Sequence, residues 1–187
     1  KMETKTRCAW CEKDDLYRNY HDNEWGKPVY DDATIFEFLI LETFQAGLSW
    51  YTVLAKRENF RKAFDQFDYH KIANYKEIKI AELAEDTGII RNKLKIKATV
   101  SNASAFLNVQ EEFGSFSKYI WGFVDGKPID NKFKSLTEVP ATTSISDALS
   151  KDLKKRGFKF TGSTVIYAHM QATGMVNDHI TECFTRK

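Results

Sequence analysis

The chain has 187 residues, of which 42% are hydrophobic, 14% aromatic and 29% charged, with nine glycines, three prolines and a formal net charge of +2. This length is enough to bury one sizeable core, and the apolar content at so small a net charge excludes a disordered chain. No apolar run approaches the roughly 20 residues of a membrane span, and the charged start lacks the apolar stretch of a signal peptide. A soluble, cytoplasmic protein without membrane association is the expectation, with Lys1 ahead of Met2 read as a residue added for expression.

Apolar positions recur at helical spacing over most of the chain, and the alternation that marks strands is scarce, so the expected fold is all-α. Asp32 is placed to cap a helix over Ala33 to Thr43, and Ser49 to cap a second carrying Trp50, Val53 and Leu54. Asp68 opens a short helix, another covers Ile78 to Glu85, and Gly88 interrupts the pattern before a helix from Asn92 to Val109. Ser115 or Ser117 starts an apolar segment with Tyr119, Ile120, Trp121 and Phe123. Asp125 to Thr143, with Gly126, Pro128 and Pro140, reads as a long connection. Ser144 or Ser146 begins a helix with Lys154 to Arg156 in its last turn and Gly157 beyond it, and a final helix covers Ser163 to Thr173, ending at Gly174.

Charge is unevenly distributed. The first 45 residues hold ten acids against six Lys and Arg, whereas Thr87 to Gln110 carries Arg91, Lys93, Lys95 and Lys97 and no acid. A second basic run is Lys151, Lys154, Lys155, Arg156 and Lys159, and two such clusters form either a phosphate-binding face or, as charge alone favours, two solvated helix faces.

Three cysteines are too few for a disulfide framework. Metal-ligand residue types gather instead at the chain ends: Cys8, Cys11 and His21 at one, His179 and Cys183 at the other. A separation of four puts His179 and Cys183 on one face of a helical turn, and two thiolates with two imidazoles complete a tetrahedral zinc site that ties the termini together. Spacing alone favours Cys8 and Cys11 with His179 and Cys183, leaving His21 as a fifth candidate. His70 and His169 have no neighbouring ligand and read as structural.

The segment Ile35 to Phe44 is apolar nearly all round except for Glu37 and Glu42. Five residues at about 100° each separate the two glutamates by about 140°, so they cannot share one narrow solvent stripe. If Glu37 faces water, Glu42 is turned inward, and such a carboxylate belongs either to a functional site or to a helix end from which it reaches solvent or pairs with a lysine. Trp10, Tyr17, Tyr20 and Trp25 flank the N-terminal ligands, and Trp50 follows the turn Gln45 to Ser49. Aromatic faces around a carboxylate are what a nucleobase pocket requires. Asp86 to Ile96 reads as a tight turn between helices, where Gly88 permits close backbone approach and Arg91, Lys93 and Lys95 can hold phosphate.

The strings Tyr20-His21-Asp22-Asn23-Glu24-Trp25-Gly26, Gln45-Ala46-Gly47-Leu48-Ser49-Trp50, Gly88-Ile89-Ile90-Arg91, Lys154-Lys155-Arg156-Gly157-Phe158-Lys159-Phe160 and Val176-Asn177-Asp178-His179 occur in an order and spacing that resemble the 3-methyladenine DNA glycosylase I family, over nearly the whole chain. The resemblance implies an all-α domain of the helix-hairpin-helix glycosylase superfamily. It would span residues 1–187, divisible into a terminal zinc-bearing lobe (about 1–30 and 160–187) and a central lobe with the hairpin (about 86–96). It implies a monomeric, monofunctional hydrolase that acts on double-stranded alkylated DNA and releases free 3-methyladenine. Its zinc ligands fall on Cys8, His21, His179 and Cys183, replacing the set that spacing favours and leaving Cys11 as a spare thiol.

The family's base pocket falls on Glu42 as the catalytic, base-recognising carboxylate, on Trp50 as the stacking face, and on Tyr20, Trp10 and Tyr17 as walls. DNA contacts are expected from Gly88, Arg91, Lys93 and Lys95, with Ile90 standing where the superfamily usually has a second glycine, and Gly47-Leu48 as a wedge into the gap left by a flipped nucleotide. The helix after the hairpin has no acid before Glu111 and Glu112, so base activation is expected to replace activation of water by an aspartate. The rival reading is a non-catalytic, zinc-stabilised nucleic-acid-binding module.

Overall fold

A computed structural model describes residues 4–186, so Lys1 and Met2 lie outside the described part. Among these residues the helices are α1 (Asp15–Asn23), α2 (Asp32–Gln45), α3 (Trp50–Ala55), α4 (Arg57–Ala63), α5 (Tyr69–Ile72), α6 (Glu77–Ala84), α7 (Lys93–Phe113), α8 (Phe116–Trp121), α9 (Ser144–Lys155) and α10 (Ser163–Ala172). The all-α expectation holds, with one small addition inside the long connection. Ile129–Asp130 (β1) pairs in parallel with Val176–Asn177 (β2), Ile129 opposite Val176.

Helix α2 is the axis of the molecule. Every residue from Ile35 to Phe44 is buried, as its nearly unbroken apolar sequence demands. It packs on α10 and α7, while α7 also receives α5, α6 and α8. Phe36, Phe44, Phe60, Phe64, Phe106 and Phe116 fill the space between them and are fully buried, each contributing about 2–3 kcal/mol through burial.

The cap of α2 is Asp31, not Asp32. Asp31 has the extended backbone a cap needs and accepts the Thr34 amide at 2.9 Å. Asp32 is already helical, so its carboxylate points away and receives the amides of Phe116 and Ser117 at 2.9 and 2.8 Å, docking the start of α8 on α2. Ser49, Asp68 and Ser115 cap as expected. Helix α9 is capped one residue earlier than expected, by Thr143, and the Ser146 side chain completes a reciprocal capping box. Helix α7 continues beyond Val109 to Phe113 and stops at Gly114, whose φ of 89° ends the helix.

Gly174 closes the end of α10 against the loop after α1. Its φ is +72°, and a Cβ would lie 2.4 Å from Lys27 C and Pro28 N, both backbone atoms. Val29 N donates to Thr173 O at 2.9 Å across this contact. Gly174→Ala is therefore expected to lose roughly 2–4 kcal/mol, because neither backbone can yield without moving a helix end. Urea unfolding reads this directly, and a variant as stable as the parent would contradict the close approach.

Candidate functional site

The chain ends meet as predicted, and four ligand atoms converge. Those of Cys8, His21, His179 and Cys183 all lie within 4.8 Å of one another, and all four residues are buried. His179 Nδ1 stands 3.2 Å from His21 Nε2, 3.7 Å from Cys8 Sγ and 3.5 Å from Cys183 Sγ, and His21 Nε2 is 3.5 Å from Cys183 Sγ. Zinc bonds of about 2.0 Å to nitrogen and 2.3 Å to sulfur give tetrahedron edges of about 3.3 Å for N···N and 3.5–3.6 Å for N···S. The cluster fits that ion.

Both histidines are oriented for a metal. His21 directs Nδ1 at Asp22 Oδ1 at 2.8 Å, and Arg7 in turn grips Asp22 with a forked guanidinium. His179 directs Nε2 at the Trp25 carbonyl at 2.9 Å. Each bond places the ring proton on the outer nitrogen, so two bare lone pairs face each other across 3.2 Å, an arrangement a cation relieves. A structural metal here would hold the two chain ends together.

Two details differ from the spacing-based reading. Cys11 is buried but outside the cluster: the short turn Ala9–Cys11 folds its thiol back onto the Cys8 carbonyl at 3.2 Å, and His21 from α1 takes the fourth corner. His179 and Cys183 meet through an irregular turn, with Cys183 N donating to Ile180 O, rather than on a helix.

A cavity of about 420 Å³ opens beside this cluster. Helix α1 presents Tyr17, Tyr20 and His21 on one face, so a single helix supplies both cavity wall and metal ligand. Asp14 caps α1 through the Tyr17 amide and accepts a hydrogen bond from Tyr51 OH, joining α1 to α3. Helix α2 contributes Glu42 and Gln45, α3 contributes Trp50, and the turn before α1 contributes Trp10. Trp10 meets Tyr17 and Trp25 edge-on at 5.0 Å, and Tyr20 lies 5.6 Å from Trp50.

The wall is apolar, yet three of its polar atoms are buried without a partner: Glu42 Oε2, Tyr20 OH and Trp50 Nε1. Burial raises the Glu42 carboxyl from its ordinary 4.5 to about 8, and also pushes the Tyr20 phenol well up. Orphaned polar groups in an aromatic cavity are costly to the protein alone, and a ligand with matching donors and acceptors relieves the cost.

Glu37 does not face water. It is buried on the far side of α2 and bonded by Arg57 at 2.8 Å and Arg61 at 2.6 Å. Burial alone would raise it, but the two guanidiniums outweigh that and hold it below the usual carboxylate range. The 140° separation was correct; the second face it opened onto is a pair of arginines on α4, a helix the sequence pattern did not reveal.

The hairpin between α6 and α7 is present, with its side chains sorted differently than expected. Arg91 and Lys93 are exposed. Lys95 is not available to a phosphate: it is buried, and its ammonium donates to Phe44 O at 3.2 Å and Ala46 O at 3.0 Å, closing the last turn of α2. Gly88 packs against Asn59 and gives its amide to Asp86 Oδ1 at 2.8 Å, so that amide too is taken. Gly47 has a φ of +80° and Leu48 is 41% exposed at the tip of the α2–α3 turn.

Sequence reasoning missed Lys134, Ser135 and Leu136 of the long connection, and Gln171 and Asp178, all of which line the cavity. Asp178 accepts from Tyr167, from Gln171 at 2.9 Å and from Asn131 at 2.9 Å, which binds the loop of His179 to α10 and to the connection after β1. Only the Asp178-His179 pair carried a signal, as part of a motif. Glu111 and Glu112 do not line the cavity, and Glu112 is bonded to Arg156 at 2.6 Å.

A helical body tied at its termini by a metal cluster, with an aromatic cavity beside the tie and a hairpin between two helices, defines an all-α chain of the helix-hairpin-helix glycosylase type. The methyladenine glycosylase family model matches residues 10–186. Over 177 residues the chain is 50% identical to DNA-3-methyladenine glycosylase 1 of Escherichia coli (strain K12), covering 95% of each. Its fold superposes on a crystal structure of 3-methyladenine DNA glycosylase I with a TM-score of 0.93 at 52% identity, covering 96% of this chain and 98% of that one. It likewise superposes on the Staphylococcus aureus 3-methyladenine DNA glycosylase I solved to explain 3-methyladenine recognition, with a TM-score of 0.94 at 36% identity, covering 97% and 96%. The chain belongs to the methyladenine glycosylase family.

Proposed function

We infer that this protein is a DNA repair glycosylase that hydrolyses the N-glycosidic bond of 3-methyladenine in double-stranded alkylated DNA, releasing the free base and leaving an abasic site. The observation that carries this reading is the unpartnered set Glu42 Oε2, Tyr20 OH and Trp50 Nε1 around a cavity walled by aromatic rings. Methylation at N3 makes the adenine cationic in DNA, which weakens the bond to the sugar before the enzyme acts. The Trp50 indole, with Tyr20, Trp10 and Tyr17 as further walls, stacks on the flipped base with a cation–π contribution of about 0.5–2 kcal/mol.

Glu42 is then the catalytic carboxylate. In the free protein it holds a proton at neutral pH, because nothing nearby compensates its charge. A cationic base supplies that compensation, so Glu42 ionises as the base enters and accepts its exocyclic N–H. Neutral adenine cannot drive this step, in which the carboxyl proton passes to solvent, and it is also costlier to flip out of its pair, so one ionisation selects the substrate. The water that completes hydrolysis needs no activating carboxylate from α7, since neither Glu111 nor Glu112 lines the cavity.

Leu48 and Gly47 act as the wedge, while Arg91 and Lys93 hold the flanking phosphates, without the Gly88 amide and without Lys95, whose role is to brace the wedge turn from below. Residues 1–187 form one glycosylase domain, active as a cytoplasmic monomer, where its DNA substrate resides. Among the described residues no helix is long and apolar enough to cross a membrane. The test is incubation with methylated duplex: 3-methyladenine is released and the strand is left uncut. Metal-replete protein that releases no base defeats the reading.

A further inference from the structure

We propose that Phe160 is a second apolar side chain that packs into DNA beside Leu48 at the flipped nucleotide, an assignment that rests on the glycosylase reading. Phe160 lies in the loop between α9 and α10. Its neighbour Phe158 is buried against Phe116, but Phe160 is turned outward and is 40% exposed. Its φ is +59°, a left-handed conformation that a bulky side chain rarely adopts. Substantial structure is devoted to holding it there. Buried Asn102 grips both backbone polar groups of the preceding residue, donating to Lys159 O at 3.0 Å and accepting from Lys159 N at 2.8 Å, and Ser150 donates to Thr161 O at 2.6 Å. An apolar ring fixed partly exposed at the surface by strained backbone is presented to a partner.

The position identifies that partner. The Lys95 ammonium, which holds the Ala46 carbonyl at the base of the wedge turn, also lies 5.9 Å from the centre of the Phe160 ring. Phe160 and the Gly47-Leu48 turn therefore flank one ammonium. Lys159, next to it in the chain, and Lys154 and Lys155 at the end of α9 are exposed and make no ion pair among the described residues, whereas Arg156 of the same run is spent on Asp152 and Glu112. An exposed aromatic beside a wedge, on a chain segment rich in free lysines, has the chemistry of a contact to an unstacked step in a polyanionic duplex.

Two variants test this. Phe160→Ala should slow single-turnover excision from methylated duplex about tenfold and weaken binding to a duplex with an abasic-site analogue by a similar factor. The slope of affinity against salt should not change, because no charge is lost. Quenching of tryptophan fluorescence by free 3-methyladenine should match the parent, since Phe160 does not line the cavity. Phe160→Gly should show the same loss on DNA with a melting temperature equal to or above the parent's, because glycine relieves the left-handed strain. Duplex binding and excision at the parent level in both variants overturns the proposal, as does a parallel loss of free-base binding, which would mark Phe160 as a packing residue. If the parent releases no 3-methyladenine, the glycosylase reading fails by itself, and the duplex-binding comparison still decides whether Phe160 touches DNA.

Discussion

Glu42→Gln should fold normally, lose roughly 30- to 150-fold in excision of 3-methyladenine, and become more stable than the parent at alkaline pH. The activity loss corresponds to ~2–3 kcal/mol, the value of a buried charge-assisted hydrogen bond that the amide cannot replace. The stability gain follows from the proton. Burial raises the native carboxyl from 4.5 to about 8, so between those pH values the folded protein holds a proton that the unfolded chain has released. Stability from this group is complete below pH 4.5 and is lost as pH rises towards 8, by an amount of the order of 4 kcal/mol. Glutamine does not titrate. Urea unfolding of the two proteins should therefore agree near pH 4.5 and diverge steadily up to pH 8.5 in favour of the variant. Equal stability at both ends would show that Glu42 finds a partner in the free protein. In the parent, kcat/KM should rise with pH through a midpoint near 8, since the free enzyme must release that proton to solvent before its carboxylate can pair with a cationic base.

Removing the metal should have the larger effect on the fold. Cys183→Ser, or exhaustive chelation, deletes the junction of the N-terminal segment, α1 and the C-terminal turn. A loss of ~4 kcal/mol, well below the full coordination energy of zinc sites, lowers the melting temperature by roughly 8–16 °C in a domain of this size. Cys11→Ser is the matched control. Its thiol bonds the Cys8 carbonyl and lies outside the cluster, so zinc content and melting temperature should stay near the parent values. Cobalt substitution reports the same point, because a tetrahedral site with two sulfurs gives a strong thiolate charge-transfer band, lost with Cys8 or Cys183 and kept without Cys11. Cys8 also lines the cavity, so binding of free 3-methyladenine should weaken together with the metal.

These two sites were legible in the sequence to different degrees. The all-α class, most caps and the burial of Ile35 to Phe44 follow from local pattern, because helix periodicity and capping act within a few residues. Glu42 was recognisable as anomalous from the same pattern, an acid where the helix has no polar face left. Its surroundings were not. Glu37 breaks the same apolar run, and only the position of α4, with Arg57 and Arg61, separates a paired carboxylate from an orphaned one.

The metal ligands show the same division. Ligand types at both ends of the chain signalled a site, and local spacing pointed to Cys11, because two cysteines three apart are the usual local signal. The choice of His21 depends on where α1 lies relative to the Ala9–Cys11 turn, and the family resemblance supplied it where spacing could not. Lys95 reverses the expectation in the other direction. Read along the chain it is one of four cations in an acid-free stretch, yet the carbonyls it satisfies belong to α2, 49 and 51 residues earlier.

By itself, then, the sequence determined the all-α class and most of its caps, the unusual carboxylate and a pool of five candidate metal ligands at the chain ends, because helix periodicity, capping and residue type are read locally. The tertiary structure alone decided which carboxylate goes unpaired, which cysteine stays outside the cluster and which lysine is withdrawn from solvent, since each depends on a group that arrives from a distant part of the chain.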